Sequence, residues 1–277
     1  MPVIALTQGM GSLAQDVADQ LARELNLASL QHEVADQVAS RMHVSRSLIN
    51  RLRAGKAGPI ERLTADRESM AIYTAEEVLD AGARGNVVLR GWGATCLLRP
   101  VPHAVCVRIM RPFEKRVAWL MEHLETDDVG LAESEIHRSD QANAARMHEQ
   151  FGVNWGDPGL FDMVLNMDRI SIDSAVQQIR GLVARPEFAE TPESGALLQN
   201  LALQARIRAA LRANESTREV DVTIECDAGR VTLRGIVVDA ADRPAAEQVA
   251  AAVPGVSGVD NQLRVMSASR LFTSSKT

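Results

Sequence analysis

Two kinds of segment follow one another in the first two thirds of the chain. Short, continuous apolar runs bounded by Gly or Pro are typical of strands buried in a parallel sheet, and they lie at 3–6, 87–89, 104–107 and 161–165. Between them, apolar residues recur every three or four positions, as in a helix after Ser12, which we expect to cap it. Alternation of strands and helices predicts an α/β fold with helices on both faces of the sheet.

The last third has a different pattern. A helix ending near Leu211 is followed by two strands with alternating apolar residues, then a helix that we expect Asp242 to cap, then a third strand ending near Val265. The order α-β-β-α-β within about seventy residues predicts a small α+β module.

Composition marks the boundary between the two parts. Residues 186–196 hold two prolines, a glycine and three glutamates with a single large apolar side chain, so we expect a linker there. The predicted domains are therefore 1–185 and 197–266. Residues 267–277 offer little to bury, and we expect a disordered tail.

Overall composition excludes several classes of protein. The 277 residues are 46% hydrophobic and 24% charged, which excludes a disordered chain, and the net charge of −6 argues against a general polyanion binder. No stretch approaches the roughly 18 apolar residues of a membrane span. The three cysteines form no CxxC pair, the histidines show no metal spacing, and the N-terminal residues show no secretory pattern. We therefore expect a cytoplasmic protein with no metal site.

Four stretches, in the same order, resemble the cytidylate kinase-like family, a branch of the nucleoside monophosphate kinases. They are residues 3–18, 86–94, 107–117 and 151–166, the last reading Phe-Gly-Val-Asn-Trp-Gly-Asp-Pro-Gly-Leu-Phe-Asp-Met-Val-Leu-Asn. The resemblance implies a three-layer phosphate-binding-loop fold, with ATP at the first strand-to-helix turn and a CMP-type nucleotide opposite. An active member would use ATP with magnesium to phosphorylate a nucleoside monophosphate.

The first turn departs from the family pattern. The family loop reads roughly Gly-Ser-Gly-Gly followed by a basic residue, and here the corresponding residues are Gly11-Ser12-Leu13-Ala14-Gln15. Backbone amides of such a loop hold a phosphate, and a cation then adds charge. Gly9, Gly11, Ser12 and Gln15 are the candidate phosphate-binding residues, but two glycines and the positive charge are missing.

Other candidate positions also depart from the pattern. Gly91-Trp92-Gly93 stands where the family has Gly-Arg-Gly, and Asn143 stands where the lid has a basic residue. The remaining lid candidates are Arg116, Arg138, Asp140 and Arg146. Arg116 matches an arginine at the entry to the lid and is the strongest candidate for a phosphate contact. Arg138 or Arg146 could replace the basic residue that the lid lacks at Asn143.

The last third resembles a BON domain. The resemblance rests on Gly-Arg-Val-Thr-Leu-Arg-Gly at 229–235 and on residues 253–265. It implies binding of a small ligand or association with a phospholipid surface, and it assigns no binding residue. Because we expect no export signal, we do not carry over the envelope association, and we expect a small ligand or a protein partner instead.

A second interpretation concerns residues 36–53, which resemble a helix-turn-helix. Ser45 would cap the second helix, and Arg46, Ser47, Asn50 and Arg51 would face a DNA groove. Between 41 and 67 there are seven basic and two acidic residues. His43 occupies the turn position where Gly is usual. Aromatic residues make up 3% of the chain, which provides no stacking platform for single-stranded nucleic acid.

Three functional hypotheses follow. The one that we favour is a nucleotide-binding pseudokinase or sensor with a degenerate loop, whose BON-like domain binds a ligand or partner. The alternatives are an active, specialised CMP-type kinase and a DNA-binding regulator that uses residues 36–53.

Overall fold

The computed structural model of the protein describes residues 1–30 and 32–266, with His32 described by its backbone alone. The described chain forms two compact units, and the boundary lies between Leu198 and Gln199. The predicted tail, 267–277, lies outside the described residues.

A five-stranded parallel sheet organises the first unit. Its strands are β1 Val3–Gln8, β2 Ala28–Leu30, β3 Val87–Arg90, β4 Ala104–Met110 and β5 Met163–Asn166. They lie in the order β2-β3-β1-β4-β5, and every neighbouring pair is parallel. The predicted α/β fold is confirmed. Since the carboxyl ends of parallel strands meet at one edge, the loops after β1 and β3 are brought side by side.

Helices cover both faces of this sheet. They are α1 Ala14–Leu25, α2 His32–Arg41, α3 Arg46–Arg53, α4 Pro59–Thr64, α5 Arg67–Arg84, α6 Ala94–Leu97, α7 Phe113–Leu124, α8 Val129–Phe151 and α9 Ile172–Val183. Leu6 and Ile109 of the sheet are fully buried against Leu21 of α1 and Ile179 of α9. Full burial of such a side chain contributes about 1.5–3 kcal/mol, so this layer anchors the start of α1.

The segment 186–196 differs from the linker predicted for it. A 3-10 turn spans Pro186–Phe188, and α10 Pro192–Ala213 begins inside the segment. Thr191 and Ser194 exchange backbone-to-side-chain hydrogen bonds, and the Ser194 hydroxyl lies 2.8 Å from Nδ1 of buried His103. Polar residues of the predicted linker therefore form the start of a helix and a contact with His103.

The second unit contains the predicted α-β-β-α-β order. After α10 come β6 Thr223–Asp227, β7 Arg230–Val237, α11 Asp242–Ala251 and β8 Gly258–Val265, with β6-β7 antiparallel and β7-β8 parallel. Ile207, Leu233 and Ala246 lie in its buried core. Asp242 lies in the first turn of α11, and the cap position falls on Ala241.

In the described part of the chain, no helix combines the length and the apolar character that a membrane crossing demands.

Candidate functional site

A cavity of about 700 Å³ opens at the carboxyl ends of β1 and β3. Its walls come from the loop after β1, the C-terminal end of α3, the turn between β3 and α6, and side chains of α7 and α8. Gly9, Gly11, Ser12 and Gln15, the four loop residues predicted from the sequence, all line it. The volume lies within the range of small-molecule sites, about 300–1,000 Å³.

The loop after β1, residues 9–13, is hereafter the glycine loop. Gly11 and Leu13 both adopt left-handed backbone conformations, with φ of +76° and +66°. Leu13 occupies the cap position of α1 and supplies no side-chain hydrogen bond, so the predicted capping role of Ser12 is wrong. Ser12 is 1% exposed, and its Oγ has no hydrogen-bond partner in the described structure. A buried, unpartnered hydroxyl beside uncapped helix amides is a feature that an anion would satisfy.

Arg116 lies against the glycine loop and does not line the cavity. Its Nη1 donates to Oδ1 of Asp140 at 3.0 Å, and its Nη2 donates to Oδ2 at 2.5 Å. Nη1 also donates to the Met10 carbonyl at 3.4 Å. The residue is 8% exposed. Both predicted lid residues are therefore engaged with each other, and the guanidinium holds the loop onto α7 and α8.

This packing explains why two positions of the loop are glycine. A Cβ on Gly9 would collide with Nη1 of Arg116. A Cβ on Gly11 would lie 3.1 Å from Cε3 of Trp119 and 3.2 Å from Cα of Arg116. Both glycines give α7 room, and Gly11 also supplies a left-handed backbone conformation.

The other two lid candidates lie in different surroundings. Arg138 forms an ion pair with Glu135 and lines a separate cavity of about 560 Å³. Arg146 lines both cavities, and its Nη2 donates to the Arg53 carbonyl at 2.5 Å. Burial lowers the pKa of Arg146 to about 10. Of the two candidates to replace the basic residue that the lid lacks at Asn143, Arg146 lines the site and Arg138 does not.

Two cavity arginines were not predicted from the sequence. Arg53 lies with its guanidinium carbon 3.3 Å from the ring centroid of Trp92. Burial, then the charges of Arg146 and Arg90, lower the pKa of Arg53 well below its usual range. Burial also lowers the pKa of Arg90, against the opposing effect of Asp19 and then Asp16. Trp92 departs from the family motif and so marks this position in the sequence. Nothing in the sequence indicates that its ring contacts a residue of α3.

Arg53, Arg90 and Arg146 are hereafter the arginine cluster. All three line the cavity, and among the residues that the structure describes none of them forms an ion pair with a carboxylate. Positive charge is thus concentrated on the walls facing the glycine loop, while residues 9–16 contain no Lys or Arg.

The predicted helix pair at 36–53 exists. Ser45 accepts a hydrogen bond from the Leu48 amide at 3.2 Å as expected. However, Arg46 pairs with Asp36 at 3.2 Å and Arg51 with Glu61 at 2.5 Å. Those pairs neutralise the two cations that DNA binding would require, and Asn50 lines the cavity instead.

Trp155 and Asp157 of the 151–166 stretch have structural roles. The indole Nε1 of Trp155 donates to Thr7 Oγ1 at 3.1 Å, and the Asp157 carboxylate accepts from the Gly159 amide at 2.8 Å. Trp155 thereby fixes one wall of the cavity to β1.

Magnesium and ATP are the groups that an active kinase would need. Within the described residues, no group of three or more His, Cys, Asp or Glu side chains is arranged to hold a metal ion. The glycine loop offers the Ser12 hydroxyl and no cation of its own. These residues do not fit a magnesium-bound triphosphate donor.

Comparison with known proteins gives a family for each unit. Residues 3–169 match the model of the cytidylate kinase-like family, and residues 200–267 match the BON domain. No curated protein matches the chain.

Solved structures also resemble the chain. An uncharacterized protein from Eubacterium ventriosum ATCC 27560 is 19% identical over 67% of this chain and 100% of its own, with a TM-score of 0.53, which shows the fold alone. A shikimate kinase from Bacteroides thetaiotaomicron is 17% identical over 66% and 99%, with a TM-score of 0.42. The YorR protein from Bacillus subtilis, in complex with phosphorylated GDP, is 12% identical over 68% and 99%, with a TM-score of 0.39.

Proposed function

This chain belongs to the cytidylate kinase-like family, and we propose that its first unit binds a nucleotide in the 700 Å³ cavity without transferring phosphate at the rate of a kinase. The observation that carries the proposal is the distribution of charge around the cavity. Among the residues that the structure describes, the arginine cluster has no carboxylate partners and lines the cavity, whereas the glycine loop contains no Lys or Arg.

The absence of a cation at Gln15 in the glycine loop affects both nucleotide binding and phosphate transfer. Gln15 is neutral, and the nearby Arg116 is neutralised by Asp140. Loss of a charge-assisted hydrogen bond weakens ground-state binding by about 1.5–3 kcal/mol. Loss of a group aimed at developing charge slows reaction by about 10²–10³-fold. Leu13 also places a side chain in the cavity where the family loop has a glycine.

Binding is supported by what the loop retains. The first residues of α1 line the cavity, and the helix start has no side-chain cap. The buried Ser12 hydroxyl has its hydrogen-bonding capacity unused in the described structure. Together with the cluster of arginines opposite, these groups favour a phosphorylated ligand. We propose that Gly9, Gly11 and Ser12 act through backbone and hydroxyl, and Arg146 through its charge.

In keeping with its match to the BON domain, the second unit is proposed to bind a small ligand or a protein partner. The three cysteines, all at described positions, are free thiols, which agrees with the cytoplasmic compartment that we propose.

Calorimetric titration of the full chain with ATP, CMP and dCMP, with and without magnesium, tests the proposal alongside an assay for phosphate transfer from ATP to CMP. We expect saturable binding of a nucleotide and no transfer above background. Rapid CMP phosphorylation would establish the active kinase instead. Absence of binding for every nucleotide would refute the nucleotide site.

A gain-of-function variant examines the loop directly. Leu13→Gly with Gln15→Arg restores both missing features, and we expect tighter ATP binding. Gln20→Arg, on the same helix but hydrogen-bonded to Glu24 and Asp173 away from the cavity, adds the same charge as a control. Unchanged ATP affinity in the loop variant would mean that this turn does not hold a triphosphate.

A further inference from the structure

The strand β8 forms one edge of the three-stranded sheet in the second unit. It pairs with β7 on one side, and no other strand of the described chain lies on its other side. With eight residues, Gly258–Val265, it is longer than the opposite edge strand β6, which has five. A long edge strand presents a row of backbone amides and carbonyls with which another strand can pair.

The hydrogen bonds around β8 show which of its residues face this open edge. The Met266 amide donates to the Val237 carbonyl of β7 at 2.9 Å. Because backbone groups of successive strand residues point to alternate sides, the even-numbered residues of β8 bond to β7 and the odd-numbered ones face the edge. Two side-chain contacts agree with this assignment. The Leu263 amide donates to Oδ1 of Asn261 at 3.2 Å, and the Asn261 carbonyl accepts from Nη2 of Arg243 at 3.3 Å.

We propose that two copies of this chain associate through β8, paired antiparallel so that Gln262 of one copy lies opposite Gln262 of the other. The two three-stranded sheets then form one continuous sheet, and the open edge at β8 is removed. A two-fold axis through the strand pair makes the interface self-complementary. This inference concerns the second unit alone and does not depend on the proposed nucleotide site.

The charged side chains of β8 select this register. Asp260, Gln262 and Arg264 are exposed and, being two residues apart, lie on the same face of the strand. With Gln262 at the centre, Asp260 lies opposite Arg264 of the second copy, and symmetry repeats the pair. A shift of two residues, the smallest that keeps the hydrogen-bonding groups matched, places Asp260 opposite Gln262 or Met266 and loses both pairs. Neither Asp260 nor Arg264 forms an ion pair within the described chain.

The geometry of an antiparallel pair places these opposite charges close together. Even-numbered residues of β8 have their backbone groups bonded to β7, so across the new interface they form the non-hydrogen-bonded pairs, in which Cα atoms lie about 4.5 Å apart. Opposite charges at such positions stabilise a strand pair. Nε2 of Gln262 donates to Oδ2 of Asp260 at 2.6 Å, which holds the carboxylate on this face of the strand.

On the other face of β8, the pairing covers apolar surface. Val265 is 43% exposed at the end of the strand. In the proposed register it lies opposite Val259 of the second copy, and Leu263 lies opposite Asn261. The Leu263 amide and the Asn261 carbonyl, which side chains now satisfy, would bond to each other across the interface. Arg243 is exposed, so its guanidinium can leave the edge without losing a buried contact.

Sedimentation velocity of the full chain over a wide range of protein concentration tests this inference. We expect the wild-type protein to be in reversible equilibrium between monomer and dimer. Asp260→Arg places like charges opposite each other and should weaken the dimer at least tenfold, as should Arg264→Asp. A mixture of these two variants restores both opposite-charge pairs, so the heterodimer should form with at least tenfold higher affinity than the dimer of either variant alone.

A proline tests the backbone pairing, and a charge reversal at the opposite edge is the matched control. Val265→Pro removes an amide that faces the open edge and leaves the hydrogen bonds between β7 and β8 in place, so it should also weaken the dimer. Asp227 is exposed on the same face of the sheet but lies on β6, so Asp227→Arg should leave the dimer intact. Thermal melts establish that each variant is folded.

Two results would overturn this inference, and neither would affect the proposed nucleotide site. The first is a wild-type protein that stays monomeric at every concentration. The second is a dimer whose affinity changes with neither Asp260→Arg nor Val265→Pro, or whose two charge-reversed variants fail to associate when they are mixed.

Discussion

Replacing Arg116 separates a structural arginine from a phosphate ligand, since the two roles predict opposite results. In Arg116→Met, the side chain keeps its approximate length but loses both hydrogen bonds to Asp140. The glycine loop also loses the contact with the Met10 carbonyl. We expect the first unit to become less stable, with little change in nucleotide affinity.

The expected loss in the free energy of unfolding depends on how exposed the two paired side chains are. The Arg116 and Asp140 side chains are 10% and 30% exposed. Removing one partner of a fully buried ion pair costs about 3–5 kcal/mol because the other charge is stranded. Water reaches part of the Asp140 carboxylate, so we expect about 2–3 kcal/mol for Arg116→Met. Asp140→Asn, which leaves one neutral acceptor, should cost less, and the double variant should cost less than the sum of the two.

Tryptophan fluorescence during urea unfolding of the full chain is the assay. All three tryptophans, Trp92, Trp119 and Trp155, lie in the first unit, so the signal reports that unit. Arg67→Met is the control, because Arg67 also pairs with α8, through Glu149, but both side chains are 55% exposed. It should change stability by less than about 1 kcal/mol. Arg116→Met that unfolds like the wild type but loses nucleotide affinity would refute the structural role.

Three further outcomes are expected. Burial lowers the pKa of His103, so the unfolded state binds a proton at a pH where the folded state does not. The free energy of unfolding should therefore fall as the pH drops below about 6.5. Urea unfolding should show a weaker pH dependence in His103→Gln. Burial raises the pKa of Cys106 to about 12. Iodoacetamide at pH 8.5 should therefore leave this thiol unmodified in the folded protein and alkylate it in urea, as mass spectrometry would show. Reaction of Cys106 in the folded protein would contradict its burial. Ser45→Ala removes the cap of α3 and should cost about 1 kcal/mol by the fluorescence assay, whereas no loss would mean that water replaces the cap.

The fold could be predicted from the sequence because its signals are local. Continuous apolar runs such as 87–89 require burial on both faces, and a sheet covered by helices provides it. The predicted order of the second unit follows in the same way from alternation at positions such as 231 and 233. Residues 186–196 differ from the predicted linker, because Thr191 and Ser194 lie at the start of α10. Their role as a helix start depends on His103, which is distant in sequence.

The candidate site was predictable only in part, for a related reason. The sequence identifies both Arg116 and Asp140 as lid residues but does not predict that they pair with each other. Ser12 was expected to cap α1, but the left-handed conformation of Leu13 moves the cap one residue along and leaves the hydroxyl buried. Backbone conformation at a single loop residue decided that outcome, and a non-glycine residue gives little warning of it.

A comparison with the family motif detects missing residues only at fixed positions of the sequence. The charge in a cavity depends on the side chains that line it, whichever helix, strand or loop they come from. The motif correctly registers the missing cation at Gln15, because no described guanidinium replaces it beside the loop: Arg116 is bound to Asp140. It also registers a loss at Trp92, but there the ring supports Arg53 from α3, so the charge at that wall is maintained. The two departures are thus not equivalent. The first removes the group that a phosphate donor needs, and the second relocates a group that a phosphate-bearing ligand can still use, which is why binding and catalysis are expected to separate in this protein.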